Sequence, residues 1–211
     1  MKKLQAGRKA DIGTRERVFA AASAEFAARG FAGANVDRIA RAAGVNKAMI
    51  YYHFKSKAAL YREIVRDMFD AVAASLEEMS AEHRDPAGKI SAFVEAIARS
   101  AEARPHFPPI WFREIAEGGT HLDEGITRTV AGIVKRLAGI VKEGVKSGRF
   151  KPVDPLLVHG GIVGPLLLYY ASASLRKRMA SAGVPGADSY KSAEVIAHVQ
   201  RVALATVQGR L

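Results

Sequence analysis

Apolar residues return at intervals of three and four along almost the whole chain, and alternating β-branched runs are scarce, so the sequence predicts an all-α fold. A first helix is expected from about Asp11 to Arg29, burying Val18, Ala22 and Phe26 and stopping at Gly30. Val36, Ile39, Ala40 and Ala43 then fall at i, i+3, i+4 and i+7 in a short helix capped by Asn35 and closed by Gly44. A third helix starts at Asn46 with Ile50 and Phe54 on its inner face, and Ser56 caps a long fourth whose stripe is Leu60, Ile64 and Met68. Asp85-Pro86 and Asp154-Pro155 each set a capping side chain before a proline at the first helical position, which opens two more helices. Between them lie a helix from Trp111 to Glu117 and a long one with Ile126, Val130, Ile133, Leu137, Ile140 and Val145 inward, ended by Gly148. A loop at Gly183-Val184-Pro185-Gly186 precedes a last helix, 193–208, with Val195, Val199 and Val202 on one face. The expectation is about nine helices and no internal repeat.

Charge divides the chain. Residues 1–60 carry 12 Lys+Arg against 4 Asp+Glu, while residues 61–211 carry 20 against 17, so the basic excess belongs to the N-terminal part. An acidic polymer suits such a patch, because neutralising phosphates releases counterions. Cysteine is absent, which excludes disulfides, thiolate nucleophiles and Cys-based zinc sites. The N-terminal Met-Lys-Lys-Leu-Gln-Ala-Gly-Arg-Lys lacks an apolar stretch behind its charges, does not read as a signal peptide and predicts a cytoplasmic location. Residues 155–175 hold no formal charge and are long enough to span a bilayer. His159, Gly160, Gly161, Gly164, Pro165, Ser172 and Ser174 interrupt them, so a helix buried against a partner is expected instead of a span.

The segment from Asn35 to Phe54 has the spacing of a helix-turn-helix, two short helices joined by Ala43-Gly44-Val45. With Ile50 and Phe54 buried, helical geometry turns Lys47, Ala48, Met49, Tyr51, Tyr52 and His53 outward. A cation, two phenols and an imidazole on one surface fit double-stranded DNA. The wider pattern is Thr14-Arg15, Ala21, Phe26, Gly30-Phe31, Ile39-Ala40, Ala43-Gly44-Val45, Ile50-Tyr51-Tyr52-His53-Phe54-Lys55-Ser56-Lys57 and Leu60. Over about residues 11–60 it resembles the DNA-binding domain of the TetR (tetracycline-repressor) family. The resemblance implies that Lys47, Ala48 and Met49 sit at the base-reading end of the recognition helix, while Tyr51, Tyr52, His53 and Lys57 mostly grip phosphates. Asn35 and Asn46 stand where the family usually has Thr or Ser; both can cap, but each offers an amide in place of a hydroxyl. Plainer roles stay open: Tyr51 as a packing residue, Met49 as a gap filler, His53 as a solvated helix residue.

The expected domains are a basic tail at 1–10, the DNA-binding domain at 11–60, and an effector-binding and dimerisation domain at 61–211. By resemblance, the chain is a homodimer joined through helices near 155–175 and 193–208 that reads a near-palindromic operator and is released by a small molecule. Residue type suggests Phe93, His106, Phe107, Trp111, Phe112, Arg113 and Tyr169 for the effector pocket, with Glu114 as a further polar anchor, although aromatic stripes at helical spacing also build plain core. No cofactor or metal is expected: His121 and Glu124 form a lone pair beside Gly118-Gly119, and no phosphate-binding loop or nucleophile elbow is present. Two other functions compete with regulation, a non-specific architectural DNA-binding protein and a small-molecule carrier with an incidental basic head.

Overall fold

The computed structural model describes residues 2–81 and 83–210, with the side chains of 13–79 and 83–210. Among these residues there is no strand, and ten helices occur: α1 (Lys2–Gly33), α2 (Val36–Ala43), α3 (Lys47–Phe54), α4 (Lys57–Ala81), α5 (Pro86–Ala103), α6 (Phe107–Ala116), α7 (Glu124–Lys146), α8 (Pro155–Ala171), α9 (Ala173–Ser181) and α10 (Ser192–Gln208). The basic tail expected at 1–10 concerns side chains outside the described set.

The helix count exceeds the expected nine because the uncharged stretch does not run on as one helix. It breaks at Ser172, and α8 and α9 are bent by 62° there. No single helix among the described residues is long and apolar enough to cross a membrane. At the other end α1 continues to Gly33, but Gly30 sits at φ 68, ψ 178, so the expected stop survives as a break inside the element. An L side chain would strain that conformation.

The chain divides into two compact units. The first comprises the chain to Asp67 together with Pro109–Asp123, and the second Met68–Pro108 together with Glu124 onward. The first is built around Val18, Ala22, Phe26, Ile39, Ile50, Phe54, Leu60, Tyr61 and Ile64, all buried. Phe26 and Phe31 both meet the Tyr61 ring edge-on, with centroids 4.8 and 5.2 Å away. Each fully buried Val, Ile, Leu or Phe among them contributes about 1.5–3 kcal/mol by leaving water. In the second unit α5 packs against α7, α8 and α10. Its core takes Ile90, Phe93, Val94 and Ile97 from α5, Leu137 and Ile140 from α7, Ile162 and Leu166 from α8, and Val199 and Val207 from α10. The apolar stripes differ slightly from those read in the sequence. Val130, Val145, Val195 and Val202 are only half-buried, while Val141, Ala203 and Val207 face inward. Phe150 folds back so closely on α7 that a Cβ at Gly144 would lie 1.9 Å from its ring.

One face of α8 remains uncovered. Leu157, Gly160, Gly161, Gly164 and Leu168 lie on it at helical spacing, and Leu157 keeps 72% of its surface exposed.

Candidate nucleic-acid interface

Local chemistry builds the α2–turn–α3 pair. Asn35 is extended, and its side chain accepts from the Asp37 backbone N–H at 2.7 Å, which caps α2. Gly44, at φ 64 and ψ 39, closes α2 in the left-handed conformation that terminates helices. Asn46 repeats the N-terminal device, accepting from the Ala48 N–H at 3.0 Å. Both asparagines therefore cap as expected, and each keeps an amide NH2 as donor. The pair is tied to α1: Arg17 donates to the Ala43 carbonyl at 3.2 Å, and Arg38 bridges Glu25 and the Gly33 carbonyl at 2.7 Å each. Burial would raise the Glu25 carboxyl, but hydrogen bonds from Arg38 and from the Asn35 N–H, with the charges of Arg38 and Arg29, hold it below its ordinary value. Arg15 stacks over the Phe54 ring at 5.0 Å and pairs with Glu63 on α4.

With Ile50 and Phe54 buried, α3 presents Lys47, Ala48, Tyr51 (43% exposed) and Tyr52 (72% exposed) to solvent, and Met49 is half-buried. Lys47 pairs with Asp37 at 3.0 Å, and that hydrogen bond together with the carboxylate's charge raises its pKa. His53 is half-buried, its ring edge-on to Tyr52 at 5.1 Å, and it lines a cavity of about 270 Å³ with Phe54, Arg62, Glu63, Arg66 and Asp123. Lys57 is not a loose cation either. It lies over the Phe31 ring at 4.7 Å and donates to the Ala32 carbonyl at 3.4 Å.

Sequence reasoning passed over Lys55. It ends α3 at φ 65, ψ −43, the only positive φ outside glycine among the described residues, and the Ser56 N–H donates to the Phe54 carbonyl at 2.7 Å across it. That is a positive-φ γ-turn, which is rare and strained. The lysine side chain itself is exposed. The run Phe-Lys-Ser-Lys contains no glycine or asparagine to mark such a turn.

The residues suggested for an effector pocket fall in both units. Phe93, His106, Phe107 and Tyr169 belong to the second, and Trp111, Phe112 and Arg113 to the first. Phe93 and Phe107 are fully buried, with Phe107 edge-on to Phe69 at 5.6 Å. The Tyr169 hydroxyl donates to the Tyr190 carbonyl at 2.9 Å, and its ring lies under Arg176. Arg113 serves the fold. It donates to the carbonyls of Phe26, Ala27 and Ala28 at 3.1, 2.7 and 3.2 Å, satisfying the acceptors that α1 exposes before Gly30. Glu114 beside it is wholly buried and accepts from the Tyr61 hydroxyl at 2.6 Å. Burial, then that bond, pushes the Tyr61 hydroxyl well above the ordinary phenol range.

Residues 18–64 match the profile described as bacterial regulatory proteins, tetR family, and residues 65–159 match that of the YcdC-like protein, C-terminal region. The HTH-type transcriptional regulator RutR of Escherichia coli is 28% identical over 144 residues, which are 67% of this chain and 66% of RutR, just under two thirds of its length. The HTH-type transcriptional repressor SCO4008 of Streptomyces coelicolor is 34% identical over 107 residues, 51% of this chain and 52% of that protein. The solved structure of the ketosteroid transcriptional regulator KstR2 of Mycobacterium tuberculosis shares the fold, with a TM-score of 0.74 and 21% identity over 92% of this chain and 94% of that one.

Proposed function

The chain belongs to the tetR family of bacterial regulatory proteins, and from that premise we propose that it is a sequence-specific transcriptional regulator, a repressor that leaves DNA when residues 61–211 take up a small molecule. The carrying observation is the outward face of α3, where Lys47, Tyr51 and Tyr52 stand exposed in the basic part of the chain, with Lys55 and Lys57 at its far end. Lys47, Ala48 and Met49 read base edges. Tyr51, Tyr52, Lys55, Lys57 and the amides of Asn35 and Asn46 hold phosphates, and His53 supports Tyr52 from behind.

Residues 11–60 act as the DNA-binding domain and 61–211 as the effector and dimerisation domain, in the cytoplasm. Two copies associate through the uncovered face of α8 together with α10. This supplies the apolar stretch with a partner and predicts an operator with two-fold symmetry. The repressor reading is supported by the name of SCO4008.

The test is fluorescence anisotropy on a mixed-sequence duplex across a salt series. Binding at low salt, with log affinity falling linearly as log salt rises, is expected from a surface that neutralises phosphates. No binding at low salt would overturn the DNA reading and leave a small-molecule carrier.

A further inference from the structure

We propose that Glu114, Glu117 and His121 form a binding site for a divalent transition-metal cation of the Zn²⁺ class. The sequence sets His121 beside Glu124, but the fold turns it the other way. Gly118 and Gly119, at φ +71 and +73, reverse the chain after α6 and bring the imidazole back over the carboxylates four and seven positions earlier. His121 Nδ1 lies 2.9 Å from Glu114 Oε1 and 3.4 Å from Glu117 Oε2, and one donor atom from each of the three residues falls within 4.8 Å of the others. A tetrahedral zinc with nitrogen and oxygen ligands at about 2.0–2.1 Å holds them about 3.3 Å apart, so three donors spaced in this way converge on an ion with small side-chain movements.

The second observation is the state of Glu114. Its side chain is wholly buried, Oε1 is occupied by Tyr61 and His121, and Oε2 is buried without any hydrogen-bond partner. A buried carboxylate oxygen left in this state is costly. A divalent cation held by both oxygens of the Glu114 carboxylate would give Oε2 its missing partner and balance two carboxylates at once. The Tyr61 hydroxyl, 2.6 Å from Oε1, is placed to orient the ligating carboxylate from outside the coordination sphere. One imidazole with two carboxylates suits zinc and its first-row neighbours better than calcium or magnesium, which take oxygen ligands. Glu117 lies at the exposed edge, where water completes the coordination. The ion ties the end of α6 and the turn after it to Tyr61 on α4, all within the first unit.

The test is calorimetric titration of the metal-stripped full chain with Zn²⁺, beside Glu117→Gln, His121→Ala and, as a control on a histidine elsewhere, His83→Ala, with circular dichroism on each variant. Expected is one Zn²⁺ per chain, with affinity lowered at least about tenfold in Glu117→Gln and His121→Ala and unchanged in His83→Ala. Glu117 is exposed, so Glu117→Gln keeps the test valid if His121→Ala loosens the fold. Absence of saturable binding up to about 100 µM Zn²⁺, or affinity within about twofold of the parent in both folded variants, would overturn the assignment.

Discussion

Lys55 holds a left-handed backbone that its side chain disfavours, and the γ-turn it makes sets where α3 stops and α4 begins. Replacing it by glycine removes the steric conflict at the cost of a freer unfolded chain, for an expected net gain of about 0.5–1 kcal/mol in urea unfolding. Unchanged or lower stability would contradict the strain. The same Lys55→Gly change is expected to weaken DNA binding, because it removes the cation proposed to hold a phosphate. Lys47 and Lys57 divide differently. Lys47→Ala is expected to relax sequence preference, whereas Lys57→Ala weakens all duplexes alike and reduces the salt slope by about one. Equal behaviour in anisotropy titrations would contradict that division. At this scale the caps at Asn35, Gly44, Asn46, Ser56, Asp85 and Asp154 were legible because each is fixed by neighbours two or three residues away. The roles of Arg113 and Glu114 were not, since the carbonyls that Arg113 meets and the Tyr61 hydroxyl that Glu114 meets lie 53 to 87 positions distant and no local pattern marks them.

Helix α7 shows how one residue type takes opposite meanings within one element. Gly132 and Gly139 face open space, while a Cβ on Gly144 would collide with Phe150. Gly139→Ala is therefore expected to stabilise by about 1 kcal/mol through helix propensity. Gly144→Ala is expected to destabilise by about 1–3 kcal/mol through overpacking. Thermal unfolding of the two variants tests the packing directly, and a shift of the same sign in both would contradict it. Periodicity revealed that α7 and α10 are amphipathic but set some stripe members a position or more off, because tertiary packing decides the rotation of a helix whose apolar band is wide. The break between α8 and α9 was hidden for a related reason: hydropathy reports charge, and Ser172 ends the helix without any change in charge.

Across the whole molecule, two consequences follow from what is covered and what is not. His159 is half-buried, and desolvation lowers its pKa from the ordinary 6.5. Above pH 6.5 it is neutral in the folded and unfolded chain alike. As pH falls below that value the unfolded chain takes the proton first, so stability is lost between 6.5 and the lower folded pKa. Urea unfolding at pH 7 and pH 5 is expected to show a smaller loss in His159→Phe than in the parent chain, and an equal loss would contradict the assignment. Leu157, exposed on the free face of α8, is expected to be buried by the second copy; Leu157→Glu should then convert a dimer to monomer in size-exclusion light scattering, and an unaltered mass would place the interface elsewhere. The measurement that reaches the central claim most directly is selection of bound duplexes from a random library at physiological salt, followed by sequencing. Enrichment of a near-palindrome with half-site centres about one DNA turn apart or somewhat more is expected. Retention of DNA with no enriched sequence would contradict it and identify an architectural DNA-binding protein instead.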